Sequence, residues 1–248
     1  MKYNIEQIEN FFDKHTRQYF EERIIKGGRL FNEFIEMPST KSLVERRITK
    51  GSNVLDIGCG IGSYSKYFGK LGANVIGIDI SKKMIKISRD VCKGLTNVQF
   101  KNESFENVDF GTKKFDYIIG GFMLSYFENL TESLRKIDKL LNPSGIAILS
   151  MLHPVKLSIK NQSNKLFCFS NYFDENDYNT DLNFRDDTIA LKKWTIEDIF
   201  KSAKKSNLFV DALKEPQPDL PTSSQITNSD FYFSCPSVMI FRFKKRKQ

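Results

Sequence analysis

Residues 54–81 read VLDIGCGIGSYSKYFGKLGANVIGIDIS, and the order of parts in this stretch decides the fold. An apolar run enters a turn carrying Gly58, Gly60 and Gly62, an amphipathic segment follows, and a second apolar run ends on Asp79. Glycines directly after a strand, opening a helix, let main-chain N–H groups meet a ligand at close range. An acid about 20 residues on, at the carboxyl end of the second strand, can accept both hydroxyls of a ribose. The dinucleotide fingerprint G-x-G-x-x-G would need a third glycine where this chain has Ser63. The turn instead spells D-x-G-x-G-x-G from Asp56 to Gly62.

The same theme repeats outward. Apolar runs at 53–58, 74–79, 97–102, 115–121 and 145–152 alternate with amphipathic helices, which predicts a parallel sheet covered on both faces. Ser81 and Thr131 stand where helix N-caps belong, Thr195 and Asp198 make a capping-box start, and Asn142–Gly145 reads as a turn. Two later runs, LFVDAL (208–213) and FYFSCPSVMIFRF (231–243), complete the sheet. Residues 1–48 read as helices broken at Gly27-Gly28 and stopped at Pro38, forming an amino-terminal cover on a core spanning 49–248. Residues 153–193 break the rhythm with aromatics at Phe167, Phe169, Tyr172, Phe173 and Tyr178 and with six acids between Asp174 and Asp187. A loop this long is either a surface insertion or a substrate-facing lid.

Composition narrows the class. The 248 residues, 40% hydrophobic and 27% charged, suit a soluble enzyme, and no run approaches the ~18 apolar residues of a membrane span. The amino terminus shows no secretory signal, so the expected location is the cytoplasm. Four cysteines (Cys59, Cys92, Cys168, Cys235) and two histidines lack the spacing of a metal or disulfide framework. The net charge of +8 hints at nucleic acid. However, the last seven residues, RFKKRKQ, carry five of the positive charges, while 151–241 is net acidic. The tail reads as a solvated end, and the charge as favouring a small molecule over RNA.

From Asn53 to Leu152 the motifs resemble those of the class I S-adenosylmethionine-dependent methyltransferases. The resemblance implies a Rossmann-like methyltransferase fold, a mostly parallel seven-stranded sheet with an antiparallel last strand and helices on both faces. It also implies S-adenosylmethionine as cofactor, with S-adenosylhomocysteine as product. Carried over, the cofactor's amino-acid part falls to Asp56, Gly58, Gly60 and Gly62, its ribose to Asp79 and Ile80, and its adenine to Ser104 and Phe105. Many relatives have an aspartate at the place of Ser104. Gly120-Gly121 falls where the chain passes the sulfonium, and Tyr19 and Arg29, with Asn32, at the methionine end.

Methyl transfer from a sulfonium is an in-line displacement whose leaving group needs no proton, so alignment is the main requirement. A base matters only if the nucleophile must lose a proton. The two candidates are His153, ending the fifth strand, and Tyr126, after the fourth. For each, the alternative is a purely structural role. SMLHP (150–154), YF (172–173) and EP (215–216) resemble a branch of small-molecule and uncharacterised bacterial methyltransferases, though Lys193-Trp194-Thr195 replaces that branch's His-Arg-Thr. The leading expectation is methyl transfer to a small molecule. The alternatives are an RNA methyltransferase, against which stands the absence of an N/D-P-P-Y/F tetrapeptide, and a cofactor-binding protein that acts through a partner.

Overall fold

The computed structural model describes residues 4–26, 30–44, 48–157, 159–161, 168–169, 172–173, 178–180, 187–218, 233 and 235–246. Helix α1 (Ile5–Phe20) runs into π-helical turns at Glu21–Ile25 and Leu30–Glu36, then α2 (Met37–Val44). The central alternation is β1 (Asn53–Ile57), α3 (Ser63–Lys70), β2 (Asn74–Asp79), α4 (Lys82–Val91), β3 (Val98–Asn102), β4 (Phe115–Gly120), α5 (Leu130–Leu140) and β5 (Leu141–Leu152). The irregular region holds α6 (Pro154–Leu157) and two antiparallel pairs, β6 (Ile159–Asn161) with β7 (Cys168–Phe169) and β8 (Tyr178–Thr180) with β9 (Ile189–Leu191). Last come α7 (Ile196–Lys205), β10 (Leu208–Lys214) and β11 (Val238–Lys245).

The main sheet has seven strands in the order β10-β11-β5-β4-β1-β2-β3. All pairings from β3 to β5 are parallel, and β11 lies antiparallel between β5 and β10. This is the expected Rossmann-like sheet. Alternation along the strands divides the core. Leu55, Ile57, Ile76, Ile78 and Ile118 pack with Leu134 and Ile137 of α5 and Ile199 and Ala203 of α7. Val54, Val75, Tyr117 and Ile119 face the other way, onto Phe68 of α3 and Leu43 and Val44 of α2. Side chains that alternate between two covered faces leave the carboxyl ends of the strands as the open edge, where β1, β2, β4 and β5 meet.

Ser81 caps α4 by accepting the Met84 amide, and Thr195 with Asp198 forms a complete capping box on α7. Other boundaries moved. Asn129, not Thr131, caps α5, its side chain accepting the Glu132 amide, while the Thr131 hydroxyl bonds Ser202. Pro38 does not stop the chain: it is the second residue of α2, which continues directly from the π-helical turn Leu30–Glu36. Asn142–Gly145 joins β5 through a register shift against β4. The basic end is no loose tail. Arg242 forks onto Asp211 at 2.8 and 2.9 Å, Lys244 also pairs with Asp211, and Lys245 lies 3.5 Å from Asp138. These pairs neutralise charge that the sequence alone assigns to solvent. Gly27, Gly28, most of the acidic run and the last two residues lie outside the described residues.

Candidate active site

The glycine turn stands on a buried framework. Cys59 donates its amide to Ile78 O and Gly62 donates to Cys59 O, both at 2.9 Å, tying the turn to the end of β2. Gly58, Gly60 and Gly62 all have positive φ, at +63°, +52° and +84°. They differ in what surrounds them. A methyl at Gly58 would strike Met123 Sδ, and one at Gly62 would press on Ser88 and Phe100, so Gly62 serves the packing of α3 on its neighbours. Around Gly60 nothing lies within 4 Å of a built Cβ. Gly58 and Gly60 line the cavity and Gly62 does not.

Asp79 joins that turn directly. Its Oδ2 accepts the Gly60 amide at 2.8 Å and its Oδ1 accepts the Ser81 amide at 2.9 Å. Burial pushes its pKa up to about 6, against the pull of those two amides and with the charge of Asp13 adding to the rise. Asp56 lies beneath, buried and away from the cavity, accepting the Ser65 hydroxyl at 2.6 Å. Burial raises it to about 7. Asp56 therefore braces the turn from below.

A cavity of about 620 Å³ runs from this turn along the carboxyl edge of the sheet. Ile80, Met84, Glu103, Phe105 and Glu106 line it at the β2 and β3 side, and Gly121, Phe122, Met123, Ser125 and Tyr126 beyond β4. Helix α1 forms its cover with Ile5, Ile8, Phe12 and Tyr19. Two clasps hold α1 down. Asp13 Oδ1 reaches the start of α4, accepting from Ser81 Oγ at 2.5 Å and Lys83 N at 3.1 Å. Asp187 meets Lys14 Nζ and His15 Nε2, each at 2.8 Å. Phe11 packs with Ile189 and Leu191 of β9, with Phe12, Tyr19 and Tyr126 against the same cluster.

Of the residues expected from sequence, Tyr19, Gly58, Gly60, Asp79, Ile80, Phe105 and Tyr126 converge on this cavity. Arg29 lies outside the described residues. Ser104 is turned away, its hydroxyl accepting the Asn107 amide at 3.2 Å within a local turn, and Glu103 lines the cavity in its place. Gly120 is likewise off the wall, pressed against Leu149 and Met123, and Gly121 takes its position. His153 is buried and absent from the lining. Its Nδ1 accepts the Val155 amide at 3.1 Å, so Nε2 carries the proton and donates to Glu215 at 2.8 Å. Burial lowers its pKa despite Glu215. With both nitrogens committed, it is a neutral joint between β5 and the segment after β10 rather than a base facing ligand.

Sequence reasoning missed Glu36, Tyr64, Glu103 and Ser125. Glu36 is buried at the cavity wall among the hydroxyls of Thr40, Tyr64 and Ser150. Ser125 is 3% exposed, and its Oγ has no hydrogen-bond partner among the described residues. An orphaned hydroxyl on a cavity wall is a place prepared for a polar ligand atom. Among the described residues no group of three or more His, Cys, Asp or Glu could hold a metal, and no helix is long and apolar enough to cross a membrane.

Residues 55–149 match a family model described as a methyltransferase domain. The chain is 31% identical over 106 residues to a demethylmenaquinone methyltransferase of Staphylococcus carnosus, covering 41% of this chain and 44% of that protein. It is 32% identical over 137 residues to a ubiquinone biosynthesis O-methyltransferase of Pelagibacter ubique, covering 55% and 52% respectively. The chain thus spans about half the length of the curated relatives it matches. Its fold matches that of an S-adenosylmethionine dependent methyltransferase from Mesorhizobium loti with a TM-score of 0.74 at 17% identity, covering 85% of this chain and 97% of that one.

Proposed function

We infer the activity from two premises, family and site: the chain belongs to the class I S-adenosylmethionine-dependent methyltransferases, and its cavity fits an adenosyl ligand beside a small acceptor. We propose that it transfers a methyl group to a small-molecule acceptor. The observation that carries this reading is the pairing of Gly60 and Asp79. Each Asp79 oxygen takes one backbone amide, which leaves acceptor capacity on both for a pair of ribose hydroxyls. Open space over the left-handed Gly60 lets main chain approach the ligand.

When bound, the cofactor supplies an electrophilic methyl group on a sulfonium. The chain's own contribution is to hold and to enclose. Asp79 would fix the ribose, Ile80, Met84 and Phe105 would flank the adenine with apolar surface, and Tyr19 with Asn32 would bound the methionine end. Helix α1 with Phe31, Asn32 and Glu36 acts as the cover, while α2 packs on the sheet instead, and β9 of the 153–193 insertion completes the wall through Leu191. Tyr126 and Ser125 face the acceptor side. A covered cavity of this size suits a small molecule better than a polynucleotide, and the pairing of Arg242, Lys244 and Lys245 with acids takes three of the tail's five positive charges out of the argument for RNA. The two relatives named for quinone-pathway methylation support an acceptor of small-molecule class.

Calorimetry with S-adenosylhomocysteine and with NAD tests the cofactor, and turnover against a metabolite panel and bulk RNA tests the acceptor. Binding of NAD without S-adenosylhomocysteine overturns the reading. Turnover on RNA alone overturns the acceptor class.

A further inference from the structure

Glu36 is 2% exposed and lines the cavity, yet its surroundings are built for a charged carboxylate. Thr40 Oγ1 and Ser150 Oγ donate to Oε1 at 2.9 and 2.8 Å, and Tyr64 Oη donates to Oε2 at 2.8 Å. Ser150 has no choice of direction, because its oxygen already takes the Phe122 amide at 2.7 Å and its proton is left for Glu36. Burial and the Glu36 carboxylate hold the Tyr64 phenol well above its ordinary range, so it too stays a donor. Three hydroxyls from α2, α3 and β5 thus converge on one acid as donors.

What this acid lacks is a counter-charge. Among the described residues it forms no ion pair. Arg23, whose charge acts on it, is held by Glu33 through Nε at 2.6 Å and bonds Tyr19 Oη at 3.0 Å. A buried anion without a cation is strongly disfavoured, and burial accordingly pushes the Glu36 pKa upward against its three hydroxyl donors. The carboxylate is bare on the side of Gly121, where a methyl would sit 3.4 and 3.5 Å from its two oxygens.

We propose that Glu36 is the recognition group for a protonated amine on a ligand held in the cavity. This rests on the methyltransferase reading of the same site. A sulfonium is the poorer match, since its positive charge disappears as the methyl leaves, and a carboxylate paired to it would stabilise the ground state over the transition state. An ammonium keeps its charge throughout. Two sources carry one: the α-amino group of the adenosyl ligand, and an amine on the methyl acceptor.

The test is calorimetry on the full chain, wild type against Glu36→Gln, with S-adenosylhomocysteine and with 5′-methylthioadenosine, which has the same nucleoside and thioether but no amino acid. If the amine belongs to the adenosyl ligand, Glu36→Gln weakens S-adenosylhomocysteine about 10- to 100-fold and leaves 5′-methylthioadenosine within about twofold. If it belongs to the acceptor, both adenosyl ligands are unaffected, and the variant saturated with S-adenosylhomocysteine loses the primary amines that wild type binds while keeping their alcohol counterparts. Glu36→Asp, which keeps the charge, retains the discrimination. Should Glu36→Gln fold poorly, Thr40→Val, which removes one of the three donors from behind the cavity wall, weakens the same charged ligands and spares the uncharged ones. Equal weakening of charged and uncharged ligands, or no change in any, overturns the proposal alone. A wild-type chain that binds neither adenosyl ligand overturns the methyltransferase reading and the proposal with it.

Discussion

Replacing Ser125 by alanine sets stability against function with opposite signs. The residue lies in a 3-10 turn, Met123–Tyr126, after β4, is 3% exposed, and leaves its hydroxyl without a protein partner among the described residues. A buried hydroxyl with no partner costs ~1–3 kcal/mol, and the lower end applies where a cavity admits water to one side. Ser125→Ala deletes that oxygen and keeps the Cβ, so the ligand-free chain gains about 1 kcal/mol. For a domain of this size that raises Tm by ~2–4 °C. The bound state moves the other way. A ligand atom that pairs with the hydroxyl loses one neutral hydrogen bond, ~0.5–1.5 kcal/mol, or roughly 3- to 10-fold in kcat/KM for the acceptor. Ser125→Thr keeps the hydroxyl and retains turnover. Thermal unfolding of the free protein and initial rates on the acceptor found in the metabolite panel make both measurements. A lower Tm refutes the premise that the hydroxyl is orphaned. A higher Tm with unchanged kcat/KM and unchanged S-adenosylhomocysteine affinity refutes its assignment to ligand.

Asp79 gives a pH signature. Burial raises its folded pKa to about 6, above the unfolded value of about 3.9, so the ionised group costs stability above pH ~6 and that cost fades as pH falls from ~6 towards ~4. Ribose hydroxyls need the ionised form, so affinity for S-adenosylhomocysteine falls below pH ~6. Asp79→Asn weakens binding at pH 8 and flattens the profile, and an unaltered profile assigns the titration elsewhere. Gly60→Ala puts a methyl into open space at φ +52°, so it folds with a loss of ~1–2 kcal/mol from the left-handed backbone while ligand affinity drops about tenfold or more. Unchanged affinity by calorimetry would show that the ligand does not lie over the turn. Asp13→Ala removes the clasp on the start of α4. Amide exchange across α1 should then speed up about fivefold, reflecting ~1 kcal/mol of lost capping, while α5 stays protected. Equal exchange in both forms would mean that β9 alone holds the cover.

The pattern of what was legible follows from how far each interaction reaches along the chain. The strands β1 to β4, the Ser81 cap and the capping box at Thr195 depend on residues within four positions, and they are where periodicity and cap chemistry put them, whereas β5 begins at Leu141 rather than 145 and the last strand runs Val238–Lys245 rather than 231–243. Gly60 and Asp79 are 19 apart but belong to one βαβ unit, whose geometry is nearly fixed by its connectivity. The errors at Ser104 and Gly120 have a different origin. Successive side chains past a strand end point to opposite sides, so moving the boundary by one residue exchanges Ser104 for Glu103, and of the Gly120-Gly121 pair the second lies on the wall. His153 shows the limit of residue type: its position at the carboxyl edge suited a base, but Glu215, 62 residues on, and the Val155 amide claimed both nitrogens.

Glu36 was invisible for a stronger reason. In sequence it is one acid in LFNEFIEMP, three residues from Glu33, and nothing local separates the two. Tertiary structure separates them completely: Glu33 neutralises Arg23, whereas Glu36 meets Tyr64 28 positions away and Ser150 114 positions away. A carboxylate acquires its charge state and its unmet need from partners that only the closed fold assembles. The cofactor half of the site is written in a contiguous motif because one βαβ unit builds it. The half that we propose recognises polar and charged ligand atoms is contributed one residue at a time by Glu36, α2, α3, β5 and the turn after β4. On the proposed reading, specificity would vary by substitution at scattered positions, each free to change without disturbing the glycine turn.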